Sequence, residues 1–304
     1  MAIALPDLAL AVELARRRGL NLAAVKGQDF SRWRGDPVGF SREALGVKWW
    51  ARQEEIALAV RDCPEVAVEA GHSVGKTFTA GGLVIWWLMV WEDAKVVTTA
   101  TSFYQVVDLL WREIRSQFTK AKIRLPGNLF RTRLDLGPQR FAVGISPKEE
   151  VNFLGYHSDH LLVILDEAAG VRPDVWSAVD SLAVGKDNRK LAIGNPMFSE
   201  GPFWEACHGS GKRWKVIRIP SMESPNATGG ASLPGLVGPE WIAEQIDGHC
   251  EPCGEGDAGA FQYEGQWWMP DRWFEAHALA RPPTSAAGNK VIPEAWLDAV
   301  MDKT

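Results

Sequence analysis

The chain has 304 residues, enough for one large domain or two modest ones with a substantial core. Its 33 Lys and Arg against 38 Asp and Glu leave a net charge of −5, which excludes a histone-like or polybasic-tail protein. An apolar share of 46% with 23% charged residues excludes wholesale disorder, and four cysteines make no disulfide scaffold and suit a reducing compartment. The longest unbroken apolar run, Leu83 to Trp91, falls well short of the ~20 residues needed to cross a bilayer. Arg16, Arg17 and Arg18 follow the first apolar stretch rather than precede it, the wrong order for an export signal, so no membrane association is expected. The 15 tryptophans show no fixed period, which argues against a solenoid or propeller.

In chain order, residues 1–50 read as a helical N-terminal segment. Asp7 caps a helix whose apolar positions are Leu8, Val12 and Ala15, and Gly19 ends it. A second helix is predicted over Lys48–Arg61, with Trp49, Ile56 and Val60 on its apolar side. From Glu65 onward, short β-branched runs alternate with helical segments. Strands are predicted at Val66–Val68, Lys95–Thr99, Phe141–Ile145, Leu161–Leu165, Lys190–Ile193 and Lys215–Ile219. Helices are predicted at Thr77–Trp91, Ser102–Gln117 and Pro173–Leu182. This alternation implies an α/β fold with a mainly parallel central sheet flanked by helices, spanning residues 51–220. Leu161–Leu165 has no polar alternation and reads as a central strand buried on both faces. After Ser221 the pattern dissolves into Pro, Gly and Ser, with short helices at Trp241–Ile246 and Pro293–Met301. Residues 221–304 are therefore expected to form a small lid and linker.

The first strand ends in Ala70-Gly71-His72-Ser73-Val74-Gly75-Lys76-Thr77, which fits the phosphate-loop pattern [AG]-x-x-x-x-G-K-[ST]. Small residues let consecutive backbone N–H groups turn inward on a triphosphate, and the helix that follows adds its positive end. Lys76 then reaches the β- and γ-phosphates and the Thr77 hydroxyl ligates Mg²⁺. Residues 71–77 are thus the expected ATP cradle. Ninety residues beyond the lysine, the buried strand ends in Asp166-Glu167. Asp166 is placed to hold Mg²⁺, with capping of the next turn as its alternative. Glu167 is placed to orient and deprotonate water, and the adjacent acids favour a hydrolase over a kinase.

Weaker elements accompany these. Gln53 offers an amide able to read adenine, beside tryptophans able to stack on it, or else is a surface amide. Asn195 ends another strand and either senses the γ-phosphate or turns the chain before Pro196. Residues 111–140 hold eight cations against two anions and suit either a DNA-phosphate surface or a solvated face. Cys250-Glu251-Pro252-Cys253 is a lone C-x-x-C, read as two reduced thiols in a turn more readily than as zinc ligands.

The order of these motifs resembles the large terminase subunit of tailed bacteriophages, the motor ATPase that pumps DNA into a procapsid. The resemblance runs through Asp36-Pro37, W-W-A-R-Q (49–53), A-G-H-S-V-G-K-T (70–77), V-V-T-T-A-T (96–101) and G-Y-H (155–157). It continues through L-D-E-A (165–168), I-G-N-P (193–196) with Gly201 and Phe203, and V-I-P-E-A-W (291–296). It implies Lys76 and Thr77 on phosphate and Mg²⁺, Asp166 on Mg²⁺, and Glu167 as the catalytic carboxylate. Gln53 would read adenine, and Asn195 would lie in the motif that couples hydrolysis to movement. The implied partners are double-stranded DNA, a homo-oligomeric ring on a portal, and a small terminase subunit. The implied location is the host cell cytoplasm, transiently at the procapsid. Two departures stand out. Where the family's loop often carries arginine, this chain has His72. The chain also ends at Thr304, before the aspartate cluster of the family's nuclease half, so ATP hydrolysis without DNA cutting is expected. Other readings are a helicase-like or transposition-type ATPase, or a non-catalytic nucleotide-binding assembly protein.

Overall fold

The computed structural model describes residues 29–146, 155–211 and 213–284. The expected helices around Leu8–Ala15 and Pro293–Met301, and the V-I-P-E-A-W segment, lie outside the described residues.

The chain enters through a short helix α1 (Pro37–Phe40), which Asp36 caps by accepting a hydrogen bond from the Gly39 amide at 2.8 Å. A π-helical turn, Ser41–Leu45, follows it. Helix α2 (Ala51–Asp62) leads to strand β1 (Glu65–Ala70), which is buried along its whole length. Helix α3 (Lys76–Val90) and strand β2 (Lys95–Thr99) come next. The expected helix over Ser102–Gln117 is interrupted: Phe103–Gln105 passes through a π-helical turn, Val106–Leu110, into α4 (Trp111–Lys120). Beyond it lie β3 (Asn128–Leu129), β4 (Arg133–Gly137), β5 (Arg140–Gly144) and β6 (Leu161–Asp166). Helix α5 (Pro173–Leu182), β7 (Arg189–Gly194), α6 (Pro202–His208) and β8 (Lys215–Ile219) complete the alternating region. The remainder holds α7 (Pro239–His249), β9 (Cys250–Pro252), β10 (Phe261–Tyr263), β11 (Gln266–Pro270) and α8 (Arg272–His277). Among the described residues, no helix is long and apolar enough to cross a membrane.

The chain divides into two compact units. Among the described residues, one comprises the stretch up to Pro64, Thr77–Asp166 and Ser177–Lys190, and the other Glu65–Lys76, Glu167–Trp176 and the stretch from Leu191 onward. In the first unit the strands lie in the order β3-β4-β5-β2-β6. Strand β2 pairs in parallel with both β5 and β6, and β3, β4 and β5 run antiparallel as a meander. The first two strands of the meander are not among those expected. Their signal is present in the sequence, because Leu134 and Leu136 alternate with Arg133 and Asp135 before the Gly137-Pro138 turn. Arg140 starts β5 and donates to the carbonyls of Leu88 and Met89, so one member of the cationic stretch caps the C-terminal turn of α3.

In the second unit the order is β7-β1-β8, with β1 and β8 parallel and Glu69 opposite Arg218. Glu69 is only 1% exposed, and its burial is tolerated because the carboxylate sits between two partners. Arg218 reaches one carboxylate oxygen through two nitrogens at 2.9 and 3.0 Å, and His208 lies 2.6 Å from the other. Residues 221–284 build a small core of their own from Val237, Ile242, Ile246, Phe274 and Ala278, joined by Met222, Trp241, Trp268 and Trp273. A three-stranded antiparallel sheet, β10-β11-β9, flanks it. The apolar positions of that core come one or two at a time from separate short elements, so no window of sequence shows the periodicity that would announce it.

Candidate functional site

The 70–77 loop joins β1 to α3 and is held by its own lysine. Lys76, 9% exposed, points its Nζ back along the loop and donates to the carbonyls of Gly71 at 2.8 Å and Ala70 at 3.4 Å. It also donates to Oδ1 of Asn195 at 3.3 Å, while Nδ2 of Asn195 donates to the Ala70 carbonyl at 2.8 Å. Asn195, 5% exposed at the end of β7, therefore meets the loop lysine across 119 residues of sequence. Within the loop, Gly75 takes φ +83°, a left-handed conformation that glycine adopts without steric cost. Ser73 adopts φ +49° with a side chain, a sparsely populated conformation of the kind that clusters at ligand sites.

Thr77 lies in the first turn of α3. Its Oγ1 donates to Oδ2 of Asp166 at 3.4 Å, and Asp166 is 2% exposed at the last position of β6. The next residue, Glu167, turns the chain away with φ +49°. The Thr77–Asp166 hydrogen bond joins the first turn of α3 to the acid at the end of β6. The donor set suits a small hard cation. A hydroxyl and a carboxylate, completed by water and phosphate oxygens, are what Mg²⁺ takes in preference to an all-protein cage. Among the described residues no group of three or more His, Cys, Asp or Glu side chains is arranged to hold a metal.

The loop is also bonded to the end of β8 and to residues of the segment expected to be lid and linker. The Gly71 amide donates to the Ile219 carbonyl at 2.9 Å and the His72 amide to the His277 carbonyl at 2.7 Å. Ser221, fully buried, donates through its hydroxyl to the His72 carbonyl at 3.0 Å, with the His277 carbonyl at 3.2 Å. The Val237 amide donates to the Ser73 carbonyl at 3.0 Å. One sequence signal exists for Ser221: it lies just past the end of β8, and strand ends are where ligand crevices form in α/β sheets. Nothing local marks Val237 or His277.

His72 is packed among aromatic rings. Its ring stacks on Trp241 at 6.2 Å between centroids and meets the rings of Trp273 and His277 edge-on at 5.7 and 4.6 Å. Burial, then the neighbouring His277, then Lys76 push its pKa down to about 4, so the ring is neutral at pH 7. His277 is shifted the same way, mainly by burial.

Gln53 is 4% exposed, and its Oε1 accepts from the Trp50 amide at 3.2 Å, reaching back to the residue before α2. Trp49 packs its ring against Gly82 of α3. Of the eight cations in 111–140, Arg133 pairs with Asp135 and lies over the Phe141 ring, Arg115 donates to the carbonyls of Val107 and Arg131, and Arg140 caps α3. Arg112, Lys120, Lys122, Arg124 and Arg131 are exposed. The four cysteines are free thiols, and burial followed by Asp271 pushes Cys250 up to about 12.

A glycine-bent loop between a strand and a helix, its lysine folded onto the loop carbonyls and its threonine bonded to an acid at the end of a second strand, defines a phosphate-loop α/β fold. Comparison with known proteins narrows this class. The chain is 29% identical over 194 residues to the probable large terminase subunit of Enterobacteria phage P7, a match covering 58% of this chain and 39% of that protein. The chain thus spans about two fifths of the length of that curated relative. Two structures of the large terminase ATPase domain of Thermus phage P74-26 share the fold at 18% identity. A mutant of that domain superposes with a TM-score of 0.55 over 78% of this chain and 96% of that one, and a second structure of the domain with 0.52 over 78% and 95%. No family model matches the chain.

Proposed function

We propose that this chain is the ATP-hydrolysing motor portion of a large terminase, driving double-stranded viral DNA into a procapsid. The observation that carries the reading is the Thr77–Asp166 hydrogen bond, which links the phosphate loop to the two acids across 89 residues. The similarity to the phage P7 protein and to the Thermus phage ATPase domain supports the same assignment.

In this reading the amides of the loop and the Lys76 ammonium hold the phosphates, and Thr77 and Asp166 would hold Mg²⁺, which would supply positive charge to the phosphate oxygens. Glu167 orients the attacking water and accepts its proton, and Asn195 fixes the Lys76 ammonium through its amide oxygen. With His72 neutral, the positive charge that an arginine supplies in relatives has to come from elsewhere, and a neighbouring subunit of a homo-oligomeric ring on the portal is the proposed source. The exposed cations Arg112, Lys120, Lys122, Arg124 and Arg131 are proposed to track DNA phosphates. A small terminase subunit as partner, and a site of action in the host cytoplasm at the procapsid, complete the proposal.

Steady-state ATP hydrolysis and Mg·ATP binding of two variants test it. Glu167→Gln is expected to lower turnover by about 10²-fold or more, the scale of a lost general base, while binding persists. Lys76→Ala is expected to lose both. Turnover that survives Glu167→Gln removes the assigned base.

A further inference from the structure

We infer that Ser221 is a positioning residue for the phosphate loop, together with the Val237 amide, and that it acts by aiming the loop's N–H groups. The inference deepens the ATP-binding reading of the 70–77 loop and rests on it.

A trans peptide unit is planar, with its C=O and N–H pointing in opposite directions. Holding the carbonyl of one residue therefore sets the direction of the next residue's amide. Four consecutive units of the loop are held in this structure, in two different ways. The Ala70–Gly71 unit is held at both ends: its carbonyl accepts from Asn195 and its amide donates to Ile219. The Gly71–His72 unit is likewise held at both ends, by Lys76 on the carbonyl and the His277 carbonyl on the amide. Neither amide is aimed at a ligand.

The pattern then changes. In the His72–Ser73 unit Ser221 holds the carbonyl at 3.0 Å, and in the Ser73–Val74 unit the Val237 amide holds the carbonyl at 3.0 Å. Both carbonyls are held by residues of the 221–278 segment, so the planar peptide units turn the amides of Ser73 and Val74 away from those residues, and in the ATP-binding reading of the loop it is these amides that meet phosphate. The left-handed φ of Ser73 is the backbone cost of that arrangement. Ser221 is anchored to perform this task. Its own amide donates to the Ala278 carbonyl at 2.8 Å, it is fully buried, and it occupies the space that a side chain on Gly71 would need. A serine hydroxyl has a single proton to donate, and here it is shared between the carbonyls of His72 in the loop and His277 at the end of α8, with the shorter contact to His72.

Isothermal titration with Mg·ATP, alongside the thermal shift that Mg·ATP produces, tests this on wild type, Lys76→Ala, Ser221→Ala and Ser41→Ala. Ser41 is an equally buried serine donating to a carbonyl, that of Val47 at 2.8 Å, and it lies on the π-helical turn after α1. Ser221→Ala is expected to weaken Mg·ATP binding about five-fold, the scale of one hydrogen bond, and to raise KM by the same factor with kcat retained. Ser41→Ala is expected to lose comparable thermal stability and keep wild-type affinity. If Ser221→Ala does not fold, Ser221→Cys, which keeps a weak donor, is expected to give an intermediate Kd. Wild-type affinity in Ser221→Ala or Ser221→Cys, with Lys76→Ala failing to bind, overturns the positioning role and leaves the nucleotide reading intact. No Mg·ATP binding by the wild type overturns both.

Discussion

Replacing Gly71 by alanine is the most direct test of how the loop is built, because the motif itself places no demand there: position 71 is one of its four variable residues. The φ of Gly71 is not in the left-handed region, so alanine suffers no backbone strain and the effect is purely one of space. An added Cβ lies 2.3 Å from the Ser221 hydroxyl oxygen, 2.8 Å from the Ser221 amide nitrogen and 3.0 Å from the His277 carbonyl oxygen. The last two are roughly 0.5–0.7 Å inside the ~3.5 Å separation at which non-bonded atoms stop repelling. The hydroxyl can rotate away only by leaving the carbonyls of His72 and His277, and the two backbone atoms cannot rotate at all. Overpacking of this kind costs ~1–3 kcal/mol, and the lost hydroxyl hydrogen bond adds ~1 kcal/mol. At about 2–4 °C per kcal/mol for chains of this general size, a Tm lower by roughly 4–16 °C is expected. Calorimetric melting of Gly71→Ala beside wild type, with and without Mg·ATP, reads both the destabilisation and the weakened ligand-induced shift. A variant that melts within 1 °C of wild type (about the size of a neutral surface change), with an unchanged Mg·ATP shift, refutes the packing of Ser221 against the loop.

Two further outcomes are expected. Between pH 6.5 and about 4 the unfolded chain protonates its counterpart of His72 while the folded chain does not, so stability is complete above 6.5 and falls as the pH drops through that window. His277 acts in the same direction. Urea midpoints at pH 7.5 and pH 5 should show this fall in wild type and a smaller one in His72→Phe, and an equal fall in both removes His72 as the cause. For the cationic stretch, replacing Arg112 and Arg131 with Gln is expected to weaken duplex DNA binding and to flatten the dependence of log affinity on log salt by about one unit for each phosphate no longer neutralised. Anisotropy titrations across a salt series read this, and an unchanged slope assigns those exposed side chains to solvation alone.

All six strands expected in the alternating region are present, and Leu161–Asp166 is buried along its whole length as its unbroken apolar run implied. They were legible because a strand's apolar pattern is local, and so is the loop motif, whose eight residues are contiguous. The pairing of Thr77 with Asp166 was anticipated only through the habit of such motifs to act together, and Asn195 was placed at a strand end without a stated partner. Gln53 carries a contact that its sequence context does not show, since its amide oxygen accepts from the Trp50 amide at the start of α2.

Local chemistry was therefore enough to mark the six strands of the alternating region, and to single out a loop suited to phosphate and a pair of acids at a strand end. What required the folded molecule was the support around that loop: Ser221, Val237 and His277 lie 149 or more residues from their loop partners in sequence. Such pairings leave no periodicity and no spacing rule, since a single serine hydroxyl or backbone amide looks alike wherever it occurs. Its meaning comes from the one peptide carbonyl that tertiary packing sets in front of it.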